Sequence, residues 1–176
     1  MAKRLSIDGF GQLELNQVAF RRDGRIEAQC KIADGIDYVE NGMLLAVDHA
    51  KREVKMPTAD DKFIALNYTT EHMYDERLAY GLKHFKLDKN SFLPRLGYLA
   101  TGDKFTTNCI AVADDAAAGA KATEEEVKAV LASAKYGKVC ELGAIELTED
   151  ASAAVVAVVK MDTMPDGQFA VQFVAL

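Results

Sequence analysis

Apolar and polar residues alternate with a period of two between positions 25 and 32, where Ile26, Ala28, Cys30 and Ile32 interleave with Glu27, Gln29 and Lys31. The pattern predicts a strand with one buried face. Arg21-Arg22-Asp23-Gly24 stands before it, and Asp-Gly signals a tight turn because glycine accepts a positive φ. A first hairpin is therefore expected, residues 12–20 against 25–32. In its first arm the apolar phase slips from Leu13 and Leu15 to Val18 and Phe20, which predicts a bulge at Asn16-Gln17.

Further strands are predicted at 43–47, after Asn41-Gly42, at 53–56, ended by Pro57, and at 63–68, which is apolar from its start as a central strand is. Phe85 and Leu87 alternate with Lys86 and Asp88, and Gly102-Asp103 turns the chain into one strand over 105–112. Residues 69–81 are polar without a sustained period and read as a loop, while the small residues of 114–122 read as a linker. Thr123 and Glu126 form a capping box ahead of Val127, Val130, Leu131 and Ala134, predicting a helix stopped by Gly137. Strands at 138–140, 144–147 and 153–161 follow. Met164-Pro165-Asp166-Gly167 then turns a closing hairpin whose last strand, with Phe169, Val171 and Phe173 alternating, stays paired to the C-terminus.

About ten strands and one short helix near 123–136, separated by turns rather than crossover helices, predict a mainly β fold, an antiparallel barrel or sandwich. The expected organisation is a hairpin or extended arm over 1–36, a β-rich core over 37–113, a linker over 114–122, and a helix with strands over 123–176 completing the same β domain.

Composition narrows the function. With 176 residues, 49% of them hydrophobic, the chain can bury a conventional core. Its net charge of −6 is spread through interspersed acidic and basic residues, without the basic stripe that a phosphate backbone needs, so no nucleic-acid partner is expected. Lys3-Arg4 is not followed by an apolar run, and no stretch approaches a membrane span, so neither a secretory signal nor membrane insertion is expected and the protein is expected in the cytoplasm where it is made.

Candidate chemistry is sparse. Cys30, Cys109 and Cys140 are too scattered for a disulfide framework or zinc site and read as small buried hydrophobes. His49 and His72 read as surface residues of a turn and a loop, and His84 as an outward-facing strand residue; none is spaced to share a metal. Ser6, Ser91, Ser133 and Ser152 lie in no nucleophile elbow, and Gly9-Phe10-Gly11 precedes a strand rather than a helix, so it reads as a kink. The acidic groups Asp34, Asp37 and Glu40, Asp60 and Asp61, and Asp75 and Glu76 could in principle hold calcium or act as a carboxylate pair, but read as solvated loops. No catalytic residue, cofactor or metal is expected, and the chain is read as a binding protein rather than an enzyme. Its candidate interface residues are the charged turn Arg21, Arg22, Asp23 and Arg25, which could reach a neighbour's sheet edge, together with Asp75 and Arg77.

Three motifs in order, Val39-Glu40-Asn41-Gly42, the run GDKFTTN over 102–108, and Pro165-Asp166-Gly167-Gln168-Phe169-Ala170-Val171, resemble small head proteins of tailed bacteriophages of the capsid decoration or stabilising type. The likeness covers roughly residues 38 to 176 in scattered motifs. It implies a non-catalytic virion protein on the outer capsid surface, bound to the major capsid protein and self-associated as a dimer or trimer. A tail-associated or host-glycan-binding module is the alternative, and a hydrolase whose carboxylates meet only in the fold is a further one.

Overall fold

Stretches in which apolar residues recur at every second position become strands with one covered face, and stretches apolar at every position lie between two layers. The computed structural model describes residues 2–58, 60–69, 82–113 and 119–176. In chain order its strands are β1 (Ala2–Leu5), β2 (Leu13–Gln17), β3 (Ile26–Glu27), β4 (Lys31–Ile32), β5 (Tyr38–Val39), β6 (Leu44–Asp48), β7 (Glu53–Lys55) and β8 (Ile64–Asn67). They continue as β9 (Leu87–Asp88), β10 (Leu96–Gly97), β11 (Lys104–Thr107), β12 (Ile110–Ala113), β13 (Lys121–Ala122), β14 (Tyr136–Val139), β15 (Ile145–Thr148), β16 (Val156–Thr163) and β17 (Phe169–Ala175), with α1 (Glu124–Leu131) as the one α-helix of the described residues.

The strands form a nine-stranded sheet, β13-β1-β12-β15-β14-β16-β17-β11-β2, a six-stranded sheet, β3-β10-β8-β6-β7-β4, and the ribbon β5-β9. Neither large sheet closes, so of the two expected architectures the fold is a sandwich rather than a barrel. Most pairs are antiparallel; β1–β13, β12–β15 and β4–β7 are parallel. The central six-stranded sheet is covered on both faces. Leu44 and Leu66 join one core with Phe105, Phe173 and Val127, whereas Leu45, Val47 and Ala65 join a second with Val39 and Leu87. That double burial is why residues 43–47 carry no polar alternation.

The predicted first hairpin is not one. Arg21 to Gly24 does turn the chain, with Arg25 N–H donating to Phe20 O, but β2 pairs with β11 in the larger sheet and β3 with β10 in the smaller. The turn carries the chain between sheets, so Ile26 and Ala28 are exposed and only Cys30 and Ile32 of the expected apolar face are buried. The bulge falls where expected: Lys104 faces Gln17 and Phe105 faces Leu15, leaving Asn16 as the extra residue. The strand expected over 105–112 is two, β11 and β12, broken at Asn108-Cys109. Of the expected linker, Lys121 and Ala122 form β13 on the sheet edge; residues 114–118 and the loop 70–81 lie outside the described residues.

The helix has its predicted start, since Thr123 Oγ1 accepts from Glu126 N and Glu126 Oε2 from Thr123 N. The Glu126 carboxyl is held down to about 2, first by the Lys3 ammonium and then by the Thr123 backbone. It ends earlier than expected, at Leu131, and Gly137 lies inside β14. Glycine is needed there because a Cβ would stand 2.9 Å from Val156 Cγ2 and closer still to Ile145 Cγ2. Gly137→Ala is expected to overpack this site and lower stability by about 1–3 kcal/mol, roughly 2–10 °C in Tm. An unchanged thermal melt would contradict the packing described.

Candidate functional site

Val39 to Gly42, the run over 102–108 and Pro165 to Val171 are far apart in sequence and meet around one side chain. Gln12 is fully buried. Its backbone N–H donates to Asn108 Oδ1 at 2.7 Å, its carbonyl accepts from Thr107 Oγ1 at 2.7 Å, and its Nε2 donates to Asp166 Oδ2 at 2.9 Å. Gly42, at φ +81°, passes so close that a Cβ would stand 2.9 Å from Gln12 O, so both conformation and space exclude other residues. Asp103 fastens the neighbouring turn, its Oδ1 accepting from Ala19 N and its Oδ2 from Ala100 N.

Beside Gln12 lies a buried ion pair. Arg4 donates Nη1 to Glu40 Oε1 at 2.8 Å and Nη2 to Oε2 at 2.5 Å. The same Oε2 accepts from Gly11 N–H, and the Glu40 carbonyl accepts from Asn67 Nδ2 at 2.8 Å. Cys109 closes the cluster, its thiol donating to Asn41 O at 3.1 Å. Burial pushes that thiol up to about 11, with Arg4 opposing the shift, so it is no thiolate nucleophile at neutral pH. Burial raises Cys30, to about 11, and Cys140 as well. All three cysteines are free and buried, as expected.

Glu40 was expected in a solvated loop and instead is buried, 4% exposed, because Arg4 and one backbone amide, that of Gly11, satisfy its carboxylate. Asp34, Asp37 and Asp60 are exposed; Asp34 pairs with Lys89, and Asp61 pairs with Lys55 at 2.7 Å. No group of three His, Cys, Asp or Glu among the described residues could hold a metal ion, and no helix among them is long and apolar enough to cross a membrane. Gly9 to Gly11 is a kink, as expected, with Gly9 at φ +84°.

Of the expected interface residues, the structure brings four together. Arg21 and Arg22 are exposed, Arg22 Nε lies 2.9 Å from Asp23 Oδ1, and Arg25 Nη2 lies 3.4 Å from both Asp23 and Asp103. Arg25 also donates to Tyr98 O, so it braces the inter-sheet turn and leaves Arg21, Arg22 and Asp23 as its outward surface. Asp75 and Arg77, with Glu76 and His72, lie outside the described residues. His84 is exposed but stands on a 3-10 turn, Leu82–His84, not a strand. His49 is exposed, as expected, with an environment the sequence did not suggest: Nε2 lies 3.2 Å from Tyr98 Oη, the Phe63 ring stands edge-on at 4.9 Å, and Glu27 lies 3.9 Å from Nδ1.

Two further surfaces complete the survey. A groove of about 870 Å³ runs beside β14 and β15, and of its charged lining Lys138 pairs with Glu146 and Asp61 with Lys55. The other is a strand edge. β16 pairs with β17 on both sides of a bulge at Val159 but with β14 only at Val156 and Ala157, so Val159 to Thr163 has no described strand on its other side. Val159 and Met161 there are 44% and 58% exposed. The sequence signals for this edge were the run 153–161 and the hairpin after it, but neither says where β14 stops. Comparison of the chain with protein-family models, with curated proteins and with solved structures finds no match in any of the three.

Removing one member of the buried pair strands the other charge. Glu40→Ala is expected to cost about 3–5 kcal/mol in urea unfolding, and the double variant Arg4→Met/Glu40→Leu to recover part of that loss. Equal losses in both would show that the charges do not depend on each other. A second expectation concerns alkali. Above pH 9 the unfolded chain releases the Cys109 proton that the folded state keeps, so stability is full below pH 9 and falls as pH rises towards 11. The wild type should lose about 1 kcal/mol by pH 10 and about 2 kcal/mol by pH 11 relative to Cys109→Ala. Parallel stability–pH curves for the two proteins would contradict this.

Proposed function

We propose that the chain is a non-catalytic virion structural protein that decorates or cements the outer surface of a tailed-phage capsid, with the major capsid protein as its partner. The observation that carries this reading is the placement of the three motifs behind the phage likeness. Glu40, Asn41, Gly42, Thr107, Asn108 and Asp166 all converge on Gln12 and its neighbours as fastenings of the scaffold. Their side chains are spent on holding strands together, which suits a rigid module whose work is done by its surface. The exposed turn at Arg21 to Asp23 and the open strand edges offer that surface, since sheet edges recruit partner strands. The acidic net charge suits a coat subunit that must stay soluble and clear of packaged nucleic acid.

A host-glycan-binding module is the second reading, and the exposed Phe63 ring beside His49 and Tyr98 favours it. The test mixes purified protein with shells assembled from the major capsid protein of the same virus and separates them on a sucrose gradient. Saturable co-sedimentation, weakened by Arg21→Glu/Arg22→Glu, is expected. Protein that stays at the top of the gradient at every concentration would overturn the proposal, and glycan-array binding lost in Phe63→Ala would favour the second reading.

A further inference from the structure

Residues 159–163 of β16 combine an open edge with a sequence that complements itself. Met164 N–H donates to Gln168 O, which makes that pair a hydrogen-bonded one in the β16–β17 ladder. Hydrogen-bonded and non-hydrogen-bonded pairs alternate along an antiparallel ladder. Lys160 and Asp162 therefore turn their amides towards β17, and Met161 and Thr163 turn theirs to the open edge, while Val159 is the extra residue of a bulge in this ladder. Thr163 N–H accordingly finds only a side chain, Asp162 Oδ1 at 3.0 Å.

We propose that two copies of the chain pair antiparallel through these edges, with Met161 opposite Met161 of the second copy on the two-fold axis. In that register Lys160 faces Asp162 of the other copy twice, and the outward amides of Met161 can exchange both backbone hydrogen bonds. Within one chain Lys160 and Asp162 already lie 2.8 Å apart, so pairing widens an ion pair into a group of four alternating charges. The neighbouring allowed registers are two-fold about residue 160 or 162. They would set Lys160 against Lys160 or Asp162 against Asp162, and like charges directly opposite are unfavourable. The same two charges thus favour one register and penalise the flanking ones. Pairing would also cover Met161, otherwise a large apolar side chain left in water.

This names the surface for the self-association that accompanies the capsid reading, but it needs no shell. It is measured on the isolated full chain, so its failure and a failure to bind capsids are separate results. Sedimentation velocity across a concentration series should show a monomer–dimer equilibrium. Lys160→Asp and Asp162→Lys should each weaken it at least tenfold, and the double swap Lys160→Asp/Asp162→Lys should restore it, which mere loss of folding would not do. The three native cysteines are buried, so an introduced surface thiol can report register. Met161→Cys should form an intermolecular disulfide under mild oxidation, and Thr163→Cys, two positions from the two-fold axis, should not. A chain monomeric at all concentrations, a double swap as weak as either single variant, or equal cross-linking at 161 and 163 would overturn the proposal.

Discussion

Glu40 is the residue on which the two large sheets depend. Its carboxylate holds β1 of the nine-stranded sheet through Arg4 and the kink before β2 through Gly11 N–H, and its backbone carbonyl holds Asn67 at the end of β8 in the six-stranded sheet. Burying two charges costs several kcal/mol each, and their attraction offsets this only when geometry is good and the remaining lone pairs are used. Here the guanidinium engages both oxygens and a backbone amide takes a further lone pair, which satisfies the carboxylate, while Arg4 Nε is buried with no hydrogen-bond partner among the described residues. The pair contributes less to net stability than to geometry, since it fixes which edge of one sheet meets which strand of the other.

Gln12 does the complementary work inside the larger sheet. By taking Asn108 Oδ1 and Thr107 Oγ1 onto its backbone, it replaces the ladder bonds that a continuous strand over 105–112 would have made. The chain bends there. β11 is left to pair with β2 and β17, and β12 with β1 and β15, so a single apolar run serves two separated places in one sheet. The polar residues Thr107 and Asn108 are fully buried because each has a backbone partner at hand.

How much was legible follows from the range of the interactions. Alternation, turn residues and the Thr123–Glu126 capping box are local, and the elements they announce are present: β6, β7, β8, the bulge at Asn16, the start of α1 and the closing hairpin. What failed depended on partners distant in sequence. Asp-Gly at 23–24 promises a turn but cannot say whether the arms stay together, and here they part to different sheets. Gly137 looked like a helix stop and is a close contact between strands. Glu40 looked solvated because its counter-ion lies thirty-six positions upstream. The three motifs at 39–42, 102–108 and 165–171 were visible as strings, while their common target, Gln12, carried no signal of its own.

The strand order has a consequence for how the protein comes into being. β17, the last strand, does not finish an edge but lies between β16 and β11, and β11 in turn carries β2 from the start of the chain. Residues 13–17 therefore reach their place only when residues 104–107 are held against 171–174. Such non-local pairing is slow to form and leaves strand edges uncovered meanwhile. The larger sheet is complete only once residues 169–175 lie between β16 and β11, and until then β11 and β16 keep edges open to the wrong neighbours.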